Sequence, residues 1–246
     1  MRVWHAAAES EWQGEFEQQC ERLLPPAERE EANRFRRTTS RNQHIVGRAM
    51  ARKLLGGDAV APDAIRFTPG KYGKPTVQSP AEADQPFNIA HTDGLVICGV
   101  ANGPADLVGV DVESLSRDTS PELAKRYFSP PEIDYLDSLH LADRQVCFLR
   151  IWTLKEALIK AIGTGLHTPL SDFAFHNVDS DEPTVEFLHS DLADHRTWKF
   201  VCFRPREGFI ASAAVAVESP RVAVQVDWRP FEGILWSDGL QDPEDL

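Results

Sequence analysis

The sequence has few positive charges, no long apolar run and no closely spaced cysteines, and each shortage excludes a class of protein. It carries 26 lysines and arginines against 38 acids, giving a formal net charge of −12 and a pI near 5.1, which argues against general nucleic-acid binding. No apolar run of about eighteen residues occurs, so no transmembrane helix is predicted. The start of the chain is unlike a signal peptide. We therefore expect a cytoplasmic protein that does not bind membranes.

The chain also lacks the usual signatures of an enzyme that carries its own nucleophile or a zinc ion. It contains no G-x-S-x-G, no H-E-x-x-H and no C-x-x-C. Three of its four cysteines, Cys98, Cys147 and Cys202, lie in apolar runs and are predicted to be reduced core residues. These absences are consistent with a nucleophile that arrives on a partner molecule.

The 246 residues are enough for one large domain or for two lobes of about a hundred residues each. Periodicity and turn residues predict helices, then strands, then helices, then strands, an order that favours an α+β fold over regular βαβ alternation. We predict helices at 9–24, 40–55, 121–127, 130–140 and 143–162, the first ending at Pro25-Pro26. We predict strands at 65–68, 86–90, 95–101, 107–112, 184–188, 197–204 and 209–217, a weaker strand at 222–227 and a frayed acidic end at 236–246.

The segment Gly-Val-Asp-Val-Glu at 109–113 is predicted to be a buried strand that ends in two acids. Side chains alternate along a strand, so Asp111 and Glu113 are expected on the same face. The segment at 152–160 is predicted to be a helix, in which Trp152, Lys155, Glu156 and Lys160 recur at spacings of three and four and share one stripe. A stripe of this composition suits a site for a cation and a polyphosphate better than a core.

Together, these two segments supply the groups that phosphoryl transfer needs. Asp111, Glu113 and Glu156 offer hard oxygen ligands, which favour magnesium, or manganese, over zinc. Lys155 and Lys160 are expected to meet phosphate oxygens as point charges. Simpler interpretations stay open, because a D-x-E pair often ends a strand and a K-E pair on a helix is often a solvated salt bridge.

Five motifs in order resemble those of the Sfp-type 4'-phosphopantetheinyl transferases, between about residues 25 and 175. They read Y-G-K-P at 72–75, F-N-I-A-H-T at 87–92, G-V-D-V-E at 109–113, F-S-P-P-E at 128–132 and W-T-L-K-E-A-L-I-K-A-I-G-T-G-L at 152–166. The resemblance implies two similar lobes related by a pseudo-twofold, with the cofactor in the cleft between them. We place the N-terminal lobe at 1–108 and the C-terminal lobe, with the metal and catalytic motifs, at 109–246.

The implied activity is transfer of the 4'-phosphopantetheine arm of coenzyme A to a serine of an acyl or peptidyl carrier protein, with release of adenosine 3',5'-bisphosphate. A monomer is expected, since a two-lobed chain needs no partner to complete its site. The alternatives are a non-catalytic module that binds coenzyme A or a carrier, and a magnesium-dependent coenzyme A hydrolase. The apolar helix around Ile133, Tyr135, Leu136 and Leu139 is the expected docking surface for the carrier.

The resemblance also implies roles for single residues around the cofactor. His91 would contact a phosphate of coenzyme A, and Lys74 would lie near the nucleotide end. Among the arginines between 34 and 52, Arg41 is our choice for the ribose 3'-phosphate. The chain departs from close relatives in two places: they often carry lysines in the segment 27–31, which here contains Glu28 and Glu31, and serine at the position of Ala90.

The catalytic roles fall on the metal ligands and on the two lysines. Magnesium held by Asp111, Glu113 and Glu156 would bridge the diphosphate, while Lys155 and Lys160 offset charge on the leaving group. Glu156, Glu132 or a metal-activated water would take the serine proton. Glu132 has a second interpretation, because Ser-Pro-Pro-Glu at 129–132 also fits a helix capping box.

Overall fold

The computed structural model describes residues 1–9, 11–101, 103, 105–189, 192, 196–219, 221–222 and 224–231. The helices in these ranges are α1 Glu15–Arg22, α2 Pro26–Ala32, α3 Thr38–Gly56, α4 Pro121–Tyr127, α5 Pro130–Ser138 and α6 Leu141–Ile162. The strands are β1 Arg2–Ala7, β2 Arg66–Pro69, β3 Pro75–Ser79, β4 Phe87–Thr92, β5 Leu95–Val100, β6 Ala105–Ser114, β7 Phe173–His176, β8 Thr184–Phe187, β9 Thr197–Phe203, β10 Phe209–Val217 and β11 Asp227–Pro230. The predicted α+β class is confirmed. None of the described helices is long and apolar enough to cross a membrane.

The first sheet has the strand order β11-β1-β5-β4 and carries α3 on one face. Its central strand β5 is buried along its whole length, because Leu95 to Val100 is almost all apolar. Helix α3 contributes Ile45, Val46 and Met50 to the core that it shares with this sheet. Gly47 allows the close contact, since a Cβ there would lie 2.8 Å from Cγ2 of Ile89 on β4.

The second sheet has the order β6-β10-β9 and packs against α6, the longest helix of the described residues. The core between them contains Leu149, Leu154 and Leu158 of the helix together with Phe200 and Ala214 of the sheet. Each sheet therefore carries one long helix, and the strand pairs are antiparallel except for β1 with β11.

The two lobes meet where β4 lies beside β6. The backbone N–H of Val110 donates to Oδ1 of Asn88 at 2.9 Å, and Val110 and Val112 join Ala90 and Ile97 in one buried cluster. The boundary predicted between residues 108 and 109 falls inside β6 and stays a prediction, as does the pseudo-twofold. The last described strand, β11, pairs in parallel with β1 and so returns to the first sheet.

Several predicted element positions differ from the structure. Pro26 begins α2 as its first helical residue rather than only ending the helix before it, because proline fits the first turn of a helix. Strands β1, β3 and β7 have no counterpart in the sequence-based assignment, and the weaker strand expected at 222–227 lies instead at 227–230. Residues 236–246, the predicted frayed end, lie outside the described residues.

Candidate active site

A glycine sets the distance between the strand and the helix that carry the chemistry. A Cβ on Gly109 of β6 would lie 1.9 Å from the carbonyl oxygen of Ala157 and 2.4 Å from the amide nitrogen of Ala161. Only glycine therefore lets α6 lie directly on β6. This contact brings the acids of β6 beside the last turns of α6.

Three predicted carboxylates converge at this contact. Asp111 is buried, and burial raises its pKa. Burial first, and then the negative charge of Asp111, raise the pKa of both Glu113 and Glu156. Asp111 is therefore close enough to both glutamates to disfavour their charged forms, and the predicted metal-ligand set of Asp111, Glu113 and Glu156 stays a prediction.

Two cations offset this negative charge. Nζ of Lys160 lies 2.6 Å from Oδ1 of Asp111. Burial alone would lower the pKa of Lys160, but the combined attraction of Asp111, Glu156 and Glu113 outweighs it and raises the pKa. Arg117, which sequence reasoning did not single out, pairs with Glu113 and lies over the Trp152 ring, 4.8 Å from its centre.

The donor set fits a divalent cation that prefers oxygen. Oδ2 of Asp111 is buried without a hydrogen-bond partner, so one carboxylate oxygen is left for a further ligand. Within the described ranges, however, no group of three or more potential ligands is already arranged to hold a metal ion. A cation entering here would have to replace Lys160 or Arg117 as the counter-charge of these acids.

Helix α6 presents its residues on two different faces, and this corrects the predicted single stripe. Trp152, Glu156 and Lys160 are partly exposed, whereas Lys155 and Ile159 are buried. Neighbouring residues on an α-helix point about 100° apart, so Lys155 and Glu156 do not share a face. Residues at a constant spacing of four form the face that carries the site.

Lys155 and Glu132 form a buried ion pair away from the carboxylate cluster. Nζ of Lys155 lies 2.8 Å from Oε2 of Glu132, with both side chains fully buried, and donates to the carbonyl oxygens of Leu170 and Phe173 at 2.7 and 2.6 Å. Burial lowers the pKa of Lys155 to about 8. Lys155 was expected to contact phosphate. Because its ammonium already donates to these partners and its side chain is fully buried, the structure corrects that expectation.

Glu132 forms a helix capping box, which was the second interpretation of its motif. Its Oε2 accepts hydrogen bonds from the backbone amide and the side-chain hydroxyl of Ser129, at 2.9 and 2.7 Å. Its Oε1 accepts from the amide of Phe175 at 2.8 Å. Because the carboxylate joins α5, α6 and β7 and has no exposed surface, its position does not support the predicted catalytic role.

The candidate cofactor cavity lies between α3, the β2–β3 hairpin and the end of β4. Its volume is about 580 Å³, and its polar lining includes Ser40, Gln43, His44, Arg48 and His91. His91 is exposed at this wall. Partial burial, followed by the charge of Lys160, lowers the pKa of His91. The next residue, Thr92, donates a hydrogen bond to Oε2 of Glu113 at 3.4 Å, which links this end of β4 to the carboxylates.

Arg41 does not line this cavity. Its guanidinium donates to Oε1 of Glu21 at 2.7 Å and to Oδ1 of Asn33 at 3.1 and 3.2 Å. Sequence reasoning missed His44, and it included Arg48 among the candidate arginines without choosing it; the two lie one turn apart on the cavity face of α3. Their spacing of four, with Gly47 packed on β4, is the signal that identifies this face.

Lys74 does not line this cavity, although its neighbours Gly73 and Pro75 do. Its ammonium donates to the carbonyl oxygens of Val108 and Ala161 at 2.7 and 3.0 Å. Burial lowers its pKa to about 8. The side chain is therefore directed into the junction of the lobes.

Comparison with known proteins gives consistent matches. The model of the 4'-phosphopantetheinyl transferase superfamily matches residues 107–217. A 4'-phosphopantetheinyl transferase of Bacillus subtilis is 33% identical over 64% of this chain and 68% of its own length. HetI of a Nostoc species is 36% identical over 75% of each chain, and Sfp of Bacillus subtilis is 30% identical over 68% of this chain and 73% of its own length.

Proposed function

This chain belongs to the family of 4'-phosphopantetheinyl transferases, and from that premise we propose that it transfers the 4'-phosphopantetheine arm of coenzyme A to a serine of an acyl or peptidyl carrier protein. The observation that carries this proposal is the ion pair between Lys160 and Asp111, beside a strand end where Thr92, next to His91, donates a hydrogen bond to Glu113. Acids for a cation, a lysine for a leaving group and a cavity for a cofactor are the parts that such a transfer requires.

In the proposed reaction, the serine Oγ of the carrier attacks the phosphorus that bears the pantetheine arm. The bond from this phosphorus to the oxygen of adenosine 3',5'-bisphosphate breaks, and the bisphosphate leaves with that electron pair. Glu156 takes the serine proton, a role that its raised pKa favours. Lys160 offsets the charge that develops on the leaving group.

Asp111, Glu113 and Glu156 are the residues that would hold Mg²⁺ or Mn²⁺ in this proposal. A bound cation would supply positive charge at the diphosphate. The unpartnered Oδ2 of Asp111 supports this assignment. His44, Arg48 and His91 would bind the phosphates and the nucleotide in the cavity, in place of the predicted Arg41.

We assign carrier docking to an apolar groove between α4, α5 and α6. Ile133, Leu136 and Phe148 line it, and Leu141 at its edge is 82% exposed. Lys125 and Arg144 also line the groove and suit an acidic carrier. The groove includes Asp118, next in sequence to Arg117, so it continues from the loop that reaches the carboxylate cluster.

We further propose a monomer in the cytoplasm. One chain supplies every site residue named above. All four cysteines are free thiols, and three of them are buried, as expected in a reducing compartment.

Mass spectrometry of apo-carrier proteins tests the proposed function. Each carrier is incubated with this protein, coenzyme A and Mg²⁺, and the nucleotide products are measured in parallel. Transfer adds the mass of one phosphopantetheine group to the carrier and releases one equivalent of adenosine 3',5'-bisphosphate. Release of the bisphosphate with an unchanged carrier would indicate a hydrolase, and no product of either kind would indicate a binding module.

A further inference from the structure

The β2–β3 hairpin belongs to neither main sheet. It forms a two-stranded sheet of its own, and the turn between the strands, residues 70–74, reaches across to the second lobe. Tyr72 belongs to this turn, and His167 lies in the segment that follows α6. The centres of their rings are 4.7 Å apart. The turn thus contacts the end of the helix that carries Glu156 and Lys160.

Lys74 makes two hydrogen bonds across the junction of the lobes, and both of its partners lie close in sequence to site residues. The carbonyl of Val108 lies on β6, three residues before Asp111, and the carbonyl of Ala161 directly follows Lys160. Ala161 is in the last turn of α6, where carbonyl oxygens have no donor within the helix. A lysine ammonium satisfies such an oxygen and also interacts favourably with the helix C-terminus.

The stem of the Lys74 side chain passes the residue that ends α6. A Cβ on Gly163, the left-handed residue that ends α6, would lie 3.4 Å from Cδ of Lys74. The aliphatic stem therefore packs under the helix end while the ammonium joins the helix to the strand. One side chain from the first lobe thereby connects the strand that carries Asp111 to the helix that carries Lys160.

We propose that Lys74 is a positioning residue, which fixes the last turn of α6 against β6 and so holds Lys160 and Asp111 in their reactive geometry, rather than a ligand of coenzyme A. This inference rests on the proposed transfer function. It departs from the nucleotide contact that the sequence motif implies for this lysine. Small displacements of reacting groups lower turnover strongly, by up to about 100-fold for 1 Å.

The test compares Lys74→Met with Lys71→Met in the full chain. Lys71 is on the same turn and is exposed, so it is the matched control. Steady-state loading of a carrier is measured as a function of coenzyme A concentration, at a temperature where circular dichroism shows every variant to be folded. For Lys74→Met we expect kcat to fall about 10- to 100-fold with KM for coenzyme A within about twofold of wild type. Lys71→Met should match wild type.

A conservative variant keeps the proposal falsifiable if Lys74→Met folds poorly. Lys74→Arg retains donors that reach the two carbonyls and should recover most of kcat. A rise of about tenfold or more in KM with kcat unchanged would overturn the proposal and make Lys74 a cofactor ligand. An unchanged kcat with only a lower melting temperature would also overturn it. Failure of the wild-type protein to load any carrier would instead contradict the proposed function.

Discussion

Lys155 and Glu156 are adjacent in sequence, yet they lie in different electrostatic environments. Lys155 forms a buried ion pair with Glu132, and its ammonium lies over the Phe173 ring, 4.3 Å from the ring centre. Glu156 is partly exposed beside Asp111. Side-chain alternation along a strand and spacing along a helix depend only on neighbouring residues. The prediction that Asp111, Glu113 and Glu156 are grouped could therefore be made from the sequence. The sequence could not predict the burial of Lys155, because its partners come from distant residues.

The first prediction concerns the buried ion pair. Glu132→Gln leaves the Lys155 charge uncompensated, so the free energy of unfolding should fall by about 3–5 kcal/mol in urea denaturation. Adding Lys155→Met removes that charge and should restore most of the stability. Glu156→Gln removes an acid whose pKa is raised by burial and by Asp111, so it should not destabilise the metal-free protein. Equal stability losses for Glu132→Gln and Glu156→Gln would contradict this assignment.

The second prediction concerns the metal and its dependence on pH. Burial raises the pKa of Asp111, Glu113 and Glu156, so these acids hold protons at higher pH than in the unfolded chain. Protons then compete with a cation, and Mn²⁺ affinity by calorimetry should fall as the pH is lowered, starting above the range in which ordinary carboxylates take up protons. Asp111→Asn should lose most of this binding, and exposed Asp58→Asn should keep it. A pH-independent affinity, or full binding by Asp111→Asn, would place the cation elsewhere.

At the scale of elements, the third prediction tests the contact between β6 and α6. Gly109→Ala places a methyl group against backbone atoms of Ala157 and Ala161, which cannot move as a flexible side chain can. The free energy of unfolding should fall by about 3 kcal/mol or more in urea denaturation. Gly56→Ala is the matched control, because its Cβ would make ordinary contacts at 3.5 Å or more. A Gly109→Ala variant as stable as Gly56→Ala would contradict the close packing.

Elements with a regular apolar pattern were predicted well. The helix predicted at 121–127 and the strand predicted at 209–217 coincide with α4 and β10. The apolar pattern of the sequence did not predict elements whose structure depends on tertiary contacts. Strand β3, Pro75–Ser79, is short and mostly exposed and forms a two-stranded sheet with β2, so it has no apolar alternation to detect. Arg41 was chosen from a run of arginines for the role that the family resemblance implies, and its partner Glu21 on α1 could not be identified from spacing.

At the scale of the whole molecule, the fourth prediction concerns carrier docking. Leu141→Asp places a charge on the groove that we assign to the carrier, so kcat/KM for the carrier should fall by about tenfold or more. Coenzyme A binding, measured by calorimetry without carrier, should not change. Leu188→Asp is the control, because Leu188 is exposed but does not line the groove. Equal effects of both variants on carrier loading would argue against docking at this groove.

The central claim is that transfer depends on the cluster around Asp111 and Lys160 and not on the buried pair of Lys155 and Glu132. Single-turnover loading of an apo-carrier, followed by intact mass and normalised to folded protein, tests it directly. Lys160→Met should load at least about 100-fold more slowly than wild type. The double variant Lys155→Met/Glu132→Gln should stay within about tenfold of wild type. An active Lys160→Met beside an inactive double variant would contradict this account.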